Sequence, residues 1–311
     1  MRIKAVLTVG KRSPSSEEKG DRMNRLSSFK SGKARLYLVA TPIGNLEDMT
    51  YRAVRILNEV TTIYAEDTRT SGVLLKHYGI ATPLRSYHKH NEMARLTPIL
   101  ETLGEGKDVA LISDAGTPLL SDPGETLVKE VVDAGYPVVP IPGASAALNA
   151  LIMTGLPTVP HQFVGFLPSK ESAREHALKA LRFEPRTLIF YESPHRIQSF
   201  VDQLRKLFDR RKVVIVRELS KQYEERLDFY SDEAVDLGEL KGEMVVVVEG
   251  FTQSVHLDKE AWIDRIELLM EDGMKEKDAI KTVANEQGVK KNDVYMTYQI
   301  HKQQFSNQKQ E

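Results

Sequence analysis

From residue 35 the chain settles into a rhythm in which short apolar, β-branched stretches alternate with segments whose apolar residues recur at helical spacing. The stretches are RLYLVA (35–40), TTIYAE (61–66), PLRSYH (83–88), DVALIS (108–113) and PVVPI (137–141), and the spacing predicts helices over 50–58, 70–78, 91–104, 123–134 and 144–153. Successive strand side chains point to opposite faces, so a strand that is apolar almost throughout must be covered on both. This predicts a mostly parallel α/β sheet layered between helices. TGLPTVPH (154–161) interrupts the pattern with two prolines and a glycine and reads as a linker. The rhythm resumes in QFVGFL (162–167), RTLIFYE (186–192), KVVIVRE (212–218) and EMVVVVEG (243–250), with helices predicted over 171–182 and 194–208. Two α/β units are therefore expected, over 34–154 and 160–252. Residues 258–303 change character and read as helical, with a break at Gln287-Gly288-Val289 that gives helix-turn-helix-like spacing.

A chain of 311 residues, 41% hydrophobic and 28% charged, has room for two such units and an appendage. Its net charge of −1 makes the whole molecule no electrostatic magnet for nucleic acid, so any basic footprint must be local. One concentration of charge is the first 33 residues, with nine Lys/Arg against three acids, expected as a disordered basic tail; translation from Met23 is the other reading. The helical segment offers no such bias, since 255–311 carries nine bases and eleven acids. The absence of cysteine excludes disulfides, thiolate metal sites and a cysteine nucleophile, and fits a cytoplasmic location. No apolar run approaches the length of a membrane span.

Ligands of open α/β sheets bind beyond the carboxyl ends of strands. There the first unit reads ATPIGNL (40–46), AEDTR (65–69), SYHKHNE (86–92), SDAGTPLLSDPG (113–124) and PIPGASAA (140–147). The P-loop, the dinucleotide glycine fingerprint and the hydrolase elbow are all missing. A metal shared by His88 and His90 is not expected, because residues two apart on a strand face opposite ways. What remains is a cleft of backbone and small side chains. Gly44, Gly116, Gly124 and Gly143 let the main chain approach a ligand, and Pro42, Pro118, Pro123 and Pro142 stiffen the turns. The loop 113–124 holds two acids and no base, which argues against a polyphosphate and suits a ligand that is itself cationic, placed near Asp114.

LYLVATPIGNLEDMTYRA, AEDTR, HKHNE, SDAGTPLLSDPG, PGASA, FVGFLPSK, TLIFYESPHR and GEMVVVVEG, in this order over about 35–252, closely resemble the ribosomal RNA small subunit methyltransferase I family. The helical tail looks like that family's carboxyl-terminal module, whereas the stretch before Met23 lies outside the pattern. The resemblance implies two αβα domains of the tetrapyrrole-methylase type, with S-adenosylmethionine (SAM) in the cleft between them, usually in a homodimer. It implies methylation of the ribose 2′-oxygen of a cytidine in the decoding region of 16S rRNA, with no metal. The loop 113–124 becomes the SAM turn, and Pro42, Gly44, Asp114, Ala115, Gly116, Leu119, Pro142, Gly143 and Ser145 the expected cofactor contacts. Asn45 stands where relatives acting on tetrapyrroles carry Asp, which argues against a porphyrin substrate.

A ribose hydroxyl is a poor nucleophile until its proton leaves, so a positioned acceptor is expected. Glu192, Asp67 and His88 are candidates, with His195 beside them; the residues do not rank them. Arg69, Lys170, Arg196 and Lys221 follow strands and are candidates for phosphate contacts. A SAM enzyme acting on a small molecule and a non-catalytic binding module are the rival readings.

Overall fold

The computed structural model describes residues 26–252 and 259–308. The tail predicted as disordered therefore lies outside the described residues except for 26–33, and these form a turn tied to the first unit. Arg35 Nε donates to the Ser28 carbonyl at 2.7 Å, and Lys33 Nζ donates to the Gly135 carbonyl at 2.7 Å.

The first unit is a five-stranded sheet of order β3-β2-β4-β1-β5, built from β1 (Leu36–Val39), β2 (Thr62–Ala65), β3 (Leu84–Ser86), β4 (Val109–Ile112) and β5 (Val138–Ile141). Every pair in it is parallel, as predicted. Alternation along the strands divides the core in two. Tyr37, Val39, Ala110 and Ile112 pack under α1 (Tyr51–Glu59) and α2 (Thr68–His77). Leu36, Val109 and Leu111 pack under α3 (Glu92–Gly104) and α4 (Glu125–Asp133). Local chemistry sets the helix starts: the Thr50 side chain accepts from Ala53 N, and the Asp67 side chain from Arg69 N.

The second sheet has the order β6-β7-β10-β8-β9, from β6 (His161–Phe166), β7 (Thr187–Glu192), β8 (Lys212–Arg217), β9 (Glu225–Tyr230) and β10 (Met244–Val248). It departs from a simple resumption of the first. Only β6–β7 is parallel; β10 runs antiparallel between β7 and β8, and β9 is an antiparallel edge strand that the apolar pattern did not announce. ERLDFY buries only Phe229 fully, because an edge strand can leave most of its side chains in water.

One face of this sheet, with Leu188, Phe190, Val246 and Ile215, is covered by α6 (Glu171–Leu181) and α7 (Ile197–Leu207). Its other face, with Ile189, Val214, Val216, Val245 and Val247, is covered by α5 (Ala146–Met153), the last helix of the first unit. Ala147, Ala150 and Leu151 of α5 thus cement the two units together. The carboxyl-terminal segment is three helices, α8 (Lys259–Glu271), α9 (Glu276–Gln287) and α10 (Lys291–Gln308). Gly288, left-handed at φ 64°, ends α9 at the predicted break. This module shares a core with Phe183 and Phe251 and is pinned by Arg182 Nη1 donating to Asp264 Oδ2 at 2.6 Å.

Candidate active site

Two turns of the first unit are stitched together at the ends of β1 and β4. Thr41 N donates to the Gly116 carbonyl at 2.9 Å and Gly116 N returns a bond to the Thr41 carbonyl at 3.0 Å. Inside this bridge the Thr41 hydroxyl donates to the Ser113 carbonyl and the Ser113 hydroxyl to the Gly116 carbonyl, at 3.0 and 2.7 Å. Gly116 has φ 80°, a left-handed conformation, and an added Cβ would meet Ile43 Cγ2 at 3.3 Å. The residue type is dictated by both facts. Gly143 is excluded from carrying a side chain by space alone, with Ala40 Cβ 2.8 Å from where its own Cβ would stand.

Beyond these turns lies a cavity of about 380 Å³ between the two units. From the first unit come Ile43, Asp114–Thr117, Leu120–Asp122, Ser145 and Ala146; from the second come Phe166, Tyr191–Pro194, Leu219 and Gly242–Val245. Of the residues expected to hold a cofactor, Asp114, Ala115, Gly116 and Ser145 line it. Pro42 and Gly44 flank Ile43 but do not line it, nor do Leu119, Pro142 and Gly143, which shape the turns behind the wall. The sequence-based expectation missed Asp122, Phe166, Tyr191 and the Gly242–Val245 segment. Strand direction explains the last. Because β10 is antiparallel to its neighbours, its amino end lies beside the carboxyl ends of β7 and β8, with Met244 opposite Glu192 and Arg217. A search confined to the carboxyl ends of strands cannot find it. Asp122 and Tyr191 carried a readable signal, since each adjoins a residue or turn already singled out.

Among the described residues the lining contains four carboxylates, Asp114, Asp122, Glu192 and Glu243, and no Lys, Arg or His. Its apolar part is Ile43, Leu120, Phe166, Leu219, Met244 and Val245. Phe166, 58% exposed, stands edge-on to Tyr191 with ring centres 5.4 Å apart, and Tyr191 leans on Phe163 at 5.0 Å. A pocket of this size with a few placed polar groups suits a small organic ligand.

The family model described as Tetrapyrrole (Corrin/Porphyrin) Methylases matches residues 35–232. A ribosomal RNA small subunit methyltransferase I from Halalkalibacterium halodurans is 46% identical over 274 residues, covering 86% of this chain and 95% of its own. One of the same name from Escherichia coli O157:H7 is 44% identical over 283 residues, covering 88% and 97%. The chain belongs to the ribosomal RNA small subunit methyltransferase I family. Its fold is that of the tetrapyrrole methylases: the solved structure of the methyltransferase CobJ, 19% identical, superposes with a TM-score of 0.54 over 70% of this chain and 94% of that one.

In this member of the ribosomal RNA small subunit methyltransferase I family, the three candidate proton acceptors occupy unlike places. Glu192, 3% exposed, lines the cavity at the end of β7. Its Oε1 accepts from Ser193 N at 2.9 Å and faces Arg196 Nε at 2.9 Å, while Oε2 accepts from Arg196 Nη2 at 3.1 Å. Asp67 stands outside the lining, capping α2; hydrogen bonds from the Arg69 side chain and backbone hold its carboxyl at about 2. His88 also lies outside, in the turn before α3, with its N–H donating to Asn91 Oδ1 at 2.8 Å. That turn is no strand, so His88 and His90 do not face apart; their rings meet edge-on at 6.0 Å. His195 follows the lining residue Pro194 without lining the cavity itself.

None of the four candidate phosphate contacts lines the cavity. Arg69 pairs with Asp67, Arg196 with Glu192, and Lys221 with both Glu218 and Glu243. Lys170, exposed at the start of α6, has no ion pair among the described residues. Asn45 is occupied locally, its side chain accepting from Glu47 N at 3.0 Å to cap the single turn Leu46–Asp48.

Proposed function

We propose that this protein transfers the methyl group of SAM to the ribose 2′-oxygen of a cytidine in the decoding region of 16S rRNA, with the small ribosomal subunit as its substrate. The observation that carries the reading is the character of the cavity: an apolar interior lined, among the described residues, by no cation, with Asp114 at its edge unpaired by any base, while Glu192 and Glu243 are already neutralised by Arg196 and Lys221. SAM bears a sulfonium and an ammonium group, and a pocket of this character favours both over water. In this reading Asp114, which lines the cavity, would accept from the ammonium group, and the backbone of Ala115 and Gly116 would run alongside the ligand, since Gly116 offers no side chain to exclude it. When bound, SAM supplies a methyl group made electrophilic by its positive sulfur. The chain's part is to hold donor and hydroxyl in line at about 3 Å and to keep water out, which the apolar wall of Leu120, Leu219, Met244 and Val245 favours.

The names borne by the relatives support ribosomal RNA as the acceptor. So does the location of the cations, which lie around the cavity and not in it, where they would meet a backbone and not a donor. Among the described residues Lys170 already has no ion pair; Arg69 and Lys221 would exchange a carboxylate for a phosphate. The same reading makes the working unit a cytoplasmic homodimer, with the exposed Leu148 and Ile152, one turn apart on α5, as an apolar face for a second copy.

The test is a map of ribose methylation on small-subunit rRNA from cells lacking this protein, followed by addition of the purified protein and SAM to the isolated subunits. A single missing cytidine 2′-O-methyl group, restored by the protein, is the expected result. An unchanged methylation map would overturn the proposal.

A further inference from the structure

Of the four carboxylates in the cavity, three are already engaged. Asp114 Oδ1 accepts from Asp67 N at 3.2 Å, Glu243 Oε2 accepts from Lys221 Nζ at 3.1 Å, and Glu192 has both oxygens on Arg196. Asp122 differs. Among the described residues no N–H or O–H donates to it and no cation pairs with it, although it lines the cavity and is half-buried. A half-buried carboxylate that no donor or cation compensates is held at some cost in its charged form, which raises its affinity for a proton.

The backbone holds it there against local preference. Leu119 and Ser121, just ahead of it, take φ values of 72° and 80°, in the left-handed region that side chains rarely adopt. Gly124 closes the turn at φ 134°, where an added Cβ would stand 2.8 Å from Leu111 Cδ2. A turn with two such residues persists only where its surroundings over-determine it. Here the outcome is a carboxylate presented to the cavity.

We propose that Asp122 is a catalytic residue, the acceptor of the proton from the attacking ribose hydroxyl; this rests on the reading above that a ribose oxygen is methylated. As that oxygen bonds to the methyl carbon, its proton passes to the Asp122 carboxylate. The carbon–sulfur bond breaks and its electron pair stays on sulfur, which becomes neutral. Asp122 then releases the proton to water. An acceptor works best when its basicity lies near the working pH. The Asp122 carboxyl titrates at about 6, raised first by burial and then by the charges of Glu66 and Asp114. The groups that face it are Glu66 at the end of β2, Asp114 at the end of β4, and Tyr191 on β7, with the internally neutralised Glu192–Arg196 pair beyond. None of these holds its proton off, so it ionises near neutrality and remains a usable base. Asp67, clamped by Arg69 at about 2, is a far weaker one.

The experiment compares wild type, Asp122→Asn and Asp122→Glu in single-turnover methylation of isolated small subunits across pH, with SAM affinity measured by calorimetry on the same samples. Wild type should gain rate as pH rises through about 6 and then level off. The Asn variant should lose about 10²-fold or more at pH 7.5 and lose that pH dependence, with SAM affinity within about twofold of wild type. The Glu variant should recover part of the rate. Independently of turnover, the carboxyl-carbon resonance of Asp122, identified by its loss in the Asn variant, should titrate near 6. An Asn variant with the wild-type rate overturns the proposal, and so does one whose SAM affinity falls as far as its rate, because Asp122 would then be holding the donor. Wild-type protein that methylates a base nitrogen in place of the ribose defeats the functional reading itself, a result recognisable without any variant.

Discussion

Asp122→Asn should make the protein more stable at pH 8 and change its stability little at pH 4. Folding moves this carboxyl from its ordinary value of 3.8 to about 6, chiefly by burial and secondarily through Glu66 and Asp114. A raised value means that the folded chain binds the proton more tightly than the unfolded one. Below about pH 4 both forms carry the proton and the site costs nothing electrostatically. Between about 4 and 6 the unfolded chain loses its proton into water, while the folded chain must come to bear the charge in the cavity wall, so stability falls with rising pH and is lowest above 6. At 1.36 kcal/mol per pH unit the full difference is about 3 kcal/mol; solvent reaching a partly exposed group reduces it to roughly 1–1.5 kcal/mol. Asn keeps the shape and never ionises, so it recovers this amount at pH 8. For a chain of this size that is a rise of about 2–5 °C in melting temperature. The assay is thermal unfolding of both proteins at pH 4, 6 and 8 and constant ionic strength. Equal melting temperatures at pH 8, or a gain of the same size at pH 4, would refute the argument, since only a charge borne by the folded state gives a pH-dependent gain.

Gly116→Val forces a β-branched residue to φ 80° and sets its Cβ 3.3 Å from Ile43 Cγ2, so the turn must rearrange at a cost of about 1–2 kcal/mol or more. Calorimetry should show SAM affinity reduced at least tenfold in a protein that still unfolds cooperatively, and unchanged affinity would remove this turn from the site. Arg182→Ala leaves the Asp264 carboxylate, and the more buried Asp209, without their guanidinium. With Asp264 partly in water the loss should be about 2 kcal/mol, read as a lower melting temperature and faster protease cleavage between the second α/β unit and the helical module; melting and cleavage like the wild type would count against that pair as the pin.

Part of the candidate site was legible because turn chemistry is local. Gly116 had to be glycine on account of a backbone angle and one near neighbour, and Asp114 was marked by the lack of any cation in its loop. Legibility ended where partners come from distant parts of the chain. Glu192 stands at the strand end where the sequence placed it, its oxygens tied up by Arg196 only four residues on, whereas Met244, its register partner across the sheet, comes from β10, more than fifty residues away in the chain. Asp122, though inside a loop already singled out, was overlooked because what sets it apart from Asp114 is not local: Asp114 accepts from Asp67 N, while among the described residues no donor reaches Asp122, which faces Glu66, Asp114 and Tyr191.

The sequence by itself determined the five parallel strands of the first unit, the helices between them and the break at Gly288, since periodicity, caps and glycine angles act over a few residues. It also determined that the loop 113–124 would be acidic. Only the tertiary structure decided that β10 would enter the second sheet antiparallel, because strand direction depends on which strands pair, and the run MVVVV is equally apolar in either direction. That choice brings Gly242–Val245 to the cavity. Tertiary packing also decided that α5 would cover the second sheet, since Ala147, Ala150 and Leu151 bury the same area against any apolar face. The cavity exists because this helix holds two sheets of different topology at a fixed spacing, a relation that no segment of the chain carries alone.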